Sequence, residues 1–185
     1  MKIVLTGNYD NCKEGNIISI SGDRGKKVNF GGLSFTKLAP KKDFWQVWHN
    51  NIGKLSEEEN TEFYIRNFYN EVLSELDPQE VLDSLPECPI LLCYEENTEF
   101  CHRHLVAFWF ELFLEIKTYE VEVKLKRDTL QRLDRPDYLK PILEKVIKEN
   151  YNMNGYETIH AAYLYNKSKE KEEEYKLTLK NIDLK

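Results

Sequence analysis

A thiol, an imidazole and a guanidinium stand next to one another at Cys101, His102 and Arg103, a combination that could perform nucleophilic catalysis. In that chemistry Cys101 is the nucleophile, His102 transfers the proton and Arg103 holds an anionic group of the substrate. A second thiol at Cys93 and a carboxylate at Glu95 precede this Cys-His-Arg motif. A carboxylate that follows a strand can act as a general base or bind a ribose-like hydroxyl. The sequence thus predicts a catalytic site at these five residues.

Each of these residues also has a structural explanation. Cys101 falls on the same helical face as later apolar residues, so it could be a small core residue. Cys93 ends an apolar stretch and could be a buried, inert thiol, because free cysteine is among the most buried residue types. Arg103 could form an ion pair with Glu95 or Glu120 instead of binding a ligand.

Cys93 and Cys101 could also act as a pair. If they face each other between a strand and a helix, they could form a redox couple, or bind a metal together with His102 or His49. Seven residues separate the two cysteines, however, and no second cysteine pair follows. Structural zinc sites use shorter spacings, so the sequence does not predict a metal site. Whether the protein binds a cofactor is left open by the sequence.

Two segments near the N-terminus carry candidate ligand-binding residues. Asn8 and Tyr9 follow the first predicted strand, at the edge of the sheet where ligands of α/β proteins bind. A glycine-rich loop then carries Arg24 and Lys26, which could close over a phosphorylated ligand. The loop lacks the pattern of a P-loop, and loops of this composition are commonly mobile and solvated.

The apolar pattern predicts strands that alternate with helices. The predicted strands lie near residues 2–6, 17–21, 89–94 and 118–124. Helical segments between strands are typical of a parallel sheet with crossover helices. We therefore expect a single α/β domain over residues 1–150, with a mainly parallel central sheet flanked by helices. Residues 151–185 are expected to form a charged C-terminal extension that is helical or partly disordered.

The helix that carries the Cys-His-Arg motif is predicted to begin at Thr98. Thr98 is a favourable N-cap residue, and it would place Cys101 in the first turn, where partial positive charge lowers the pKa of a thiol. The helix is apolar nearly all round, which predicts burial, but His104 is expected at the surface. An earlier short helix carries Trp45 and Trp48, which could stack on a base but at this spacing are more often core residues.

The composition indicates a globular protein with a sizeable core. Of the 185 residues, 41% are hydrophobic and 31% are charged, and the net charge is −6. This negative charge disfavours bulk electrostatic binding to nucleic acids or to anionic membranes. Neither an apolar run of membrane-spanning length nor a secretory signal is evident, so we expect free cysteines in a reducing cytoplasm.

Several segments of the chain together resemble one family. Its mark is a strand that ends in a cysteine and a glutamate, here residues 91–95, followed by a helix that opens with Cys-His-Arg, here residues 101–107. Similar segments are Leu38-Ala39-Pro40, the helix around Tyr69 and Leu73, Leu76-Asp77-Pro78, and Glu120. Over roughly residues 1–123 the chain resembles the family named domain of unknown function 488 (DUF 488). The resemblance implies an α/β fold of prokaryotic or phage origin, and it supplies no established activity.

These observations leave three hypotheses for function. The first is an enzyme that acts on a small phosphorylated or nucleotide-like substrate by means of Cys101 and its neighbours. The second is a non-catalytic module that binds a nucleotide or a nucleic-acid end at the same place. The third is a structural role for the two cysteines and Arg103, with function in the charged C-terminal segment.

Overall fold

The computed structural model describes residues 3–124 and 129–150. These residues form an α/β fold, as the sequence predicts. The strands are β1 (Val4–Asn8), β2 (Ile17–Ser19), β3 (Leu33–Ser34), β4 (Ile90–Cys93), β5 (Thr118–Lys124) and β6 (Thr129–Leu133). Within the described residues they make one six-stranded sheet with the order β3-β2-β4-β1-β5-β6. Neighbouring strands are parallel except β5 and β6, which are antiparallel.

α-Helices lie between β3 and β4, between β4 and β5, and after β6. Those in the described residues are α1 (Lys42–Asn51), α2 (Glu57–Glu71), α3 (Pro78–Ser84), α4 (His102–Leu114) and α5 (Leu139–Asn150). Local sequence explains where two of them begin. The Ser56 hydroxyl accepts from the Glu59 amide and the Glu59 carboxylate accepts from the Ser56 amide, a capping box that starts α2. The Asp77 side chain caps α3, whose first residue is Pro78.

The register of the central strands brings their C-terminal ends to one edge of the sheet. Asn8 at the end of β1 pairs with Cys93 at the end of β4, and Ser19 ends β2 beside the same strand. On the other side of β1, Thr6 pairs with Glu120 of β5. In an open parallel sheet, this edge is where ligands bind.

Two strands at the edges of the sheet were not expected from the sequence. β3 consists of Leu33 and Ser34 alone, and both residues are exposed, so no alternating pattern marks it. β6 lies at the opposite edge, where Leu130 is 50% exposed. Edge strands need less apolar surface than central ones, and their pattern in the sequence is correspondingly weak.

α4 is buried along most of its length, as predicted, and it contacts β1, β4 and β5. Its aromatic residues Phe108, Trp109 and Phe110 are at most 1% exposed. Burying an apolar side chain of this size stabilises a fold by about 1.5–3 kcal/mol. This packing holds α4 against the sheet and so fixes the position of the Cys-His-Arg motif at its start.

Packing divides the chain into two compact units, Met1–Val146 and Ile147–Lys185. The first unit contains the whole sheet and α1 to α4. The C-terminal extension that the sequence predicts, residues 151–185, lies outside the described residues. Among the helices of the described ranges, none combines the length and the apolar composition that a bilayer crossing requires.

Candidate functional site

Cys101 lies one residue before α4, at the N-cap position, and not inside the first turn. The prediction of Thr98 as the N-cap is wrong because Thr98 lies inside a separate turn. In that turn the Glu99 amide donates to the Glu96 carbonyl oxygen at 3.2 Å. α4 therefore begins at His102. Cys101 still lies at the N-terminal end of the helix, where unpaired N–H groups favour negative charge.

His102 lies close to the thiols of both Cys93 and Cys101 through one ring nitrogen. Its Nδ1 atom lies 3.7 Å from Cys93 Sγ and 3.8 Å from Cys101 Sγ. Its Nε2 atom donates to the Ile20 carbonyl oxygen at 3.0 Å. Because a carbonyl oxygen only accepts, Nε2 carries a hydrogen and Nδ1 is left to face the sulfur atoms. An imidazole in this position can accept a thiol proton and then stabilise the thiolate.

Charge is distributed unevenly within this cluster. Burial opposes ionisation of Cys101, but the hydrogen bond from Cys93 and the charges of Arg103 and His102 hold the pKa of Cys101 well below its ordinary value. Burial likewise opposes protonation of His102, yet the negative charge of Cys101 raises the pKa of the imidazole. Burial, and then the hydrogen bond with Cys101, raises the pKa of Cys93. The environment therefore favours the thiolate at Cys101 and the thiol at Cys93.

Glu95 adds a carboxyl group to the same cluster. Burial and the negative charge of Cys101 raise the pKa of Glu95 to about 7. Its Oε2 atom is buried and has no hydrogen-bond partner among the described residues. A carboxyl group with a pKa near neutrality can donate a proton in one step of a reaction and accept one in the next.

A cavity of about 660 Å³ lies directly beside the cluster, and Cys93, Glu95, Cys101 and His102 all line it. This volume is in the range that is typical of small-molecule sites. Most of the other lining residues come from two regions. One is the start of α1 with an aromatic group on α1, α2 and the segment before α4, and the other is the glycine-rich loop after β2. The strand ends, the helix start and the loop thus meet around one space.

Aromatic rings form one part of the cavity wall. Tyr64 packs edge-on against Trp48 and Phe100, with ring centroids 5.2 and 4.9 Å apart. Trp45 also lines the cavity, is 41% exposed, and is stacked on His49 with 4° between the ring planes. These faces offer a planar ligand a stacking surface. His49 contacts Trp45 and lies outside the cysteine cluster, so the cluster's imidazole is His102.

The glycine-rich loop forms another part of the wall and is held there by hydrogen bonds. The Tyr94 hydroxyl donates to Asp23 Oδ2 at 2.6 Å and accepts from the Lys27 amide at 3.3 Å. The hydroxyls of Tyr9 and Ser21 share a hydrogen bond of 2.8 Å. Lys27 Nζ also lies 5.4 Å from the centre of the Tyr94 ring. These contacts connect the loop to the residue that follows β4, so the loop is part of the site.

Arg103 is fully buried and does not line the cavity. Its Nη2 atom donates to Glu120 Oε1 and to the Glu96 carbonyl oxygen, each at 2.9 Å, and Nε donates to Glu120 Oε1 at 3.2 Å. Of the two ion pairs that the sequence allows, the structure forms the one with Glu120. The Nη1 atom is buried without a hydrogen-bond partner in the described residues. Arg103 therefore acts on Cys101 through its charge, across the interior.

His104 is fully buried, so the prediction of a surface position is wrong. Its Nδ1 atom lies 3.6 Å from Glu120 Oε2, which also accepts from the Thr6 hydroxyl at 2.5 Å. Burial, and then the charge of Arg103, lowers the pKa of His104 to about 3, which keeps the ring neutral. The helical pattern missed this burial because Glu120, a polar contact for this face of α4, comes from β5.

The remaining predicted ligand-binding residues lie around the cavity and not in its walls. Asn8 is buried, and its Oδ1 atom accepts two backbone amides of the turn after β1. The Tyr9 ring packs against Tyr94, with centroids 4.8 Å apart. Arg24 and Lys26 are exposed on the loop. Asn8 and Tyr9 thus contact residues next to the cavity and do not line it themselves.

The cavity also contains residues that the sequence did not single out as ligand-binding. Two lysines, Lys27 and Lys42, line it, together with Asp23 and Tyr64. Lys27 directly follows Lys26 on the glycine-rich loop, but the sequence did not show which basic residue of the loop lines the cavity. Lys42 and Tyr64 have no local signal, because only the packing of α1 and α2 brings them to the cavity.

Comparison with known proteins identifies a family. A family model described as the active DUF488-N3 subclade, DUF488-N3a, matches residues 2–112. No curated protein and no solved structure matches the chain significantly. The family match covers more than half of the 185 residues and includes both cysteines and the start of α4. The chain therefore belongs to the DUF488 family.

Proposed function

We propose that the protein is an enzyme that uses the thiolate of Cys101 as a nucleophile on a small nucleotide-like substrate. One observation carries the proposal: Cys101 lines a cavity of ligand size, and its Sγ atom lies 3.8 Å from an imidazole nitrogen. The other nitrogen of that His102 ring is occupied by the Ile20 carbonyl oxygen, so the ring is oriented towards the thiols. Enzymes activate thiols by this arrangement, in which a base lies beside the nucleophile and a third group orients the base.

Glu95 supplies the proton transfers of the proposed reaction. Cys101 Sγ attacks an electrophilic centre of the substrate, and the bond from that centre to a leaving group breaks. The leaving group takes the proton of the Glu95 carboxyl, and the substrate fragment stays bonded to sulfur. Glu95, now a carboxylate, takes a proton from water, whose hydroxide joins the fragment while Cys101 leaves as a thiolate. The net reaction is hydrolysis.

The composition of the cavity supports a nucleotide-like substrate. Trp45 lines the cavity and is 41% exposed, so its ring can stack on a planar ring. The ammonium groups of Lys27 and Lys42 suit a phosphate group, because each is a compact cation with three donors. Arg103 is paired with Glu120, so its role is to stabilise the Cys101 thiolate, and the two lysines bind the anionic group.

Alkylation tests the nucleophile directly. Reduced, metal-free protein is treated with iodoacetamide at neutral pH, and peptide mass spectrometry follows Cys101 against exposed Cys88 and buried Cys12 in the same chain. An ordinary thiol is only roughly 3% ionised at neutral pH, so we expect Cys101 to react at least about tenfold faster than Cys88 despite its burial. A rate at or below that of Cys12 would make Cys101 a core residue and contradict the proposal.

Protection by nucleotides tests the substrate class. AMP, GMP, CMP and UMP are each added before alkylation, with inorganic phosphate as the control for the charge alone. Slower alkylation of Cys101 with at least one nucleotide, and not with phosphate, is the expected result. Protection without product formation would favour the non-catalytic binding module instead. Lack of protection by all four nucleotides would exclude this substrate class.

A further inference from the structure

Two thiols and an imidazole nitrogen converge on one point between β4 and α4. The Sγ atoms of Cys93 and Cys101 and a ring nitrogen of His102 all lie within 4.8 Å of one another, and all three residues are buried. From these positions we propose that the three residues bind one Zn²⁺ ion, and that its binding switches off the thiol chemistry of Cys101. The regulatory part rests on the proposed function, whereas the metal site itself does not.

The distances agree with those of a tetrahedral zinc site. With Zn–S bonds of about 2.3 Å and Zn–N bonds of about 2.0–2.1 Å, neighbouring sulfur and nitrogen ligands are separated by about 3.6 Å. His102 Nδ1 lies 3.7 Å from Cys93 Sγ and 3.8 Å from Cys101 Sγ. Both sulfur–nitrogen distances are therefore within a few tenths of an ångström of those of a tetrahedral site, and the two sulfur atoms lie within 4.8 Å of each other.

The ligands are also held in place before a metal arrives. Cys93 is the last residue of β4, and Cys101 and His102 are the N-cap and first residue of α4, so rigid elements position all three. The Nε2 atom of His102 donates to the Ile20 carbonyl oxygen at 3.0 Å, so in the neutral ring, the form that binds a metal, Nδ1 carries no hydrogen. A histidine that binds a metal commonly donates its other ring hydrogen to a carbonyl or carboxylate in this way.

Glu95 is the group that can complete four ligands. Its carboxyl group interacts with the thiols of Cys93 and Cys101, and its Oε2 atom is buried without a hydrogen-bond partner in the described part of the chain. Two sulfurs, one imidazole and one carboxylate are ligands that zinc accepts, and soft thiolates favour zinc over magnesium or calcium. The set differs from a short-spaced zinc knuckle in its spacing along the sequence and in its carboxylate ligand.

Metal binding would exclude catalysis by the same cysteine. Cys93 releases its thiol proton as its Sγ–zinc bond forms and Cys101 binds as the thiolate, so the electron pair with which Cys101 would attack a substrate is then shared with the ion. Removal of the ion returns the free thiolate. Zinc would thus compete with substrate for Cys101, so thiol activity would depend on the free zinc concentration.

Cobalt titration tests the metal site without any activity assay. Co²⁺ is added to the reduced, metal-free full-length chain and the absorption spectrum is recorded. We expect one equivalent to produce thiolate-to-cobalt charge-transfer bands and the visible bands of tetrahedral cobalt, and Zn²⁺ to abolish them. Cys93→Ser should lose the bands, and Cys88→Ser, which changes an exposed cysteine outside the cluster, should keep them.

The outcomes separate this inference from the proposed function. A wild-type protein without charge-transfer bands, or a folded Cys93→Ser variant with unchanged bands, would overturn the metal site. Alkylation of Cys101 with and without one equivalent of Zn²⁺ then tests the regulation, with an expected loss of at least about tenfold in rate. Rapid alkylation that zinc leaves unchanged would refute the regulation and retain the nucleophile. Cobalt bands together with slow alkylation of metal-free protein would support the site and refute the nucleophile.

Discussion

Replacing Glu120 by glutamine tests the buried charges next to the site. Glu120→Gln keeps the shape of the side chain and removes its charge, so Arg103 remains in the interior without a carboxylate. Both side chains are at most 1% exposed, and solvent cannot take over the role of Glu120. Breaking a buried ion pair by removing one partner typically destabilises a protein by about 3–5 kcal/mol. We expect E120Q to lose this much free energy of unfolding, a large part of the ~5–15 kcal/mol that stabilises most domains.

Urea denaturation, followed by tryptophan fluorescence and far-UV circular dichroism, measures this loss. Coincident transitions with an unchanged m value would show that the midpoint reports stability. For a protein of this size, the expected loss corresponds to a fall in Tm of about 6–20 °C. Glu87→Gln is the matched control, because Glu87 is exposed and the same chemical change there should stay within about 0.5 kcal/mol.

The double variant Arg103→Met with Glu120→Gln separates charge from packing. It removes both charges, so it should be more stable than E120Q alone, although it has lost more polar contacts. A loss below about 1 kcal/mol in E120Q would equal that of a surface ion pair and refute the reasoning. A double variant no more stable than E120Q would show that the unpaired charge of Arg103 is not the cause.

The remaining predictions concern the thiol cluster, the cavity and Cys12. His102→Gln should slow alkylation of Cys101 at neutral pH by about tenfold or more, since the stabilising imidazole is gone, and an unchanged rate would exclude His102 from the thiol chemistry. Lys27→Glu should reduce the protection of Cys101 by nucleotides more than Lys26→Glu does, because of these two lysines only Lys27 lines the cavity. Equal effects of the two variants would indicate a long-range effect of charge alone. Burial raises the pKa of Cys12 to about 11, so the unfolded chain loses this thiol proton first. Stability in urea should therefore fall between about pH 9 and pH 11 by up to about 2–3 kcal/mol, and Cys12→Ser should lessen that fall.

The central fold was predictable because its signals are local. Short apolar strands at β1, β2 and β4 and the continuous apolar run of α4 are visible in the sequence. The capping box at Ser56 and the Asp77-Pro78 start of α3 also act within one helical turn. β3 and β6 were missed because edge strands carry little apolar pattern, and their partners lie elsewhere in the chain.

The start of α4 shows the limit of a local signal. Thr98 has the side chain of a good N-cap residue, but the turn at Glu96 and Glu99 closes before the helix begins. Phe100 lies between that turn and Cys101, and its ring packs against Trp48 and Tyr64. α4 therefore begins later than the capping preference of Thr98 predicts, and the residue before Cys101 packs against α1 and α2 instead of entering the helix.

The sequence by itself determined which groups could react, since Cys93, Glu95 and the Cys-His-Arg motif are adjacent to a strand end and a helix start. Only the tertiary structure decided what each group does. In the structure, His102 Nδ1 lies beside both sulfur atoms, and Arg103 forms an ion pair with Glu120 of β5. Lys27 lines the cavity, whereas Lys26 does not. The physical reason is that reactivity and ligand contact depend on charge, burial and distance between residues far apart in the chain, whereas a local sequence pattern specifies only the element on which each residue lies.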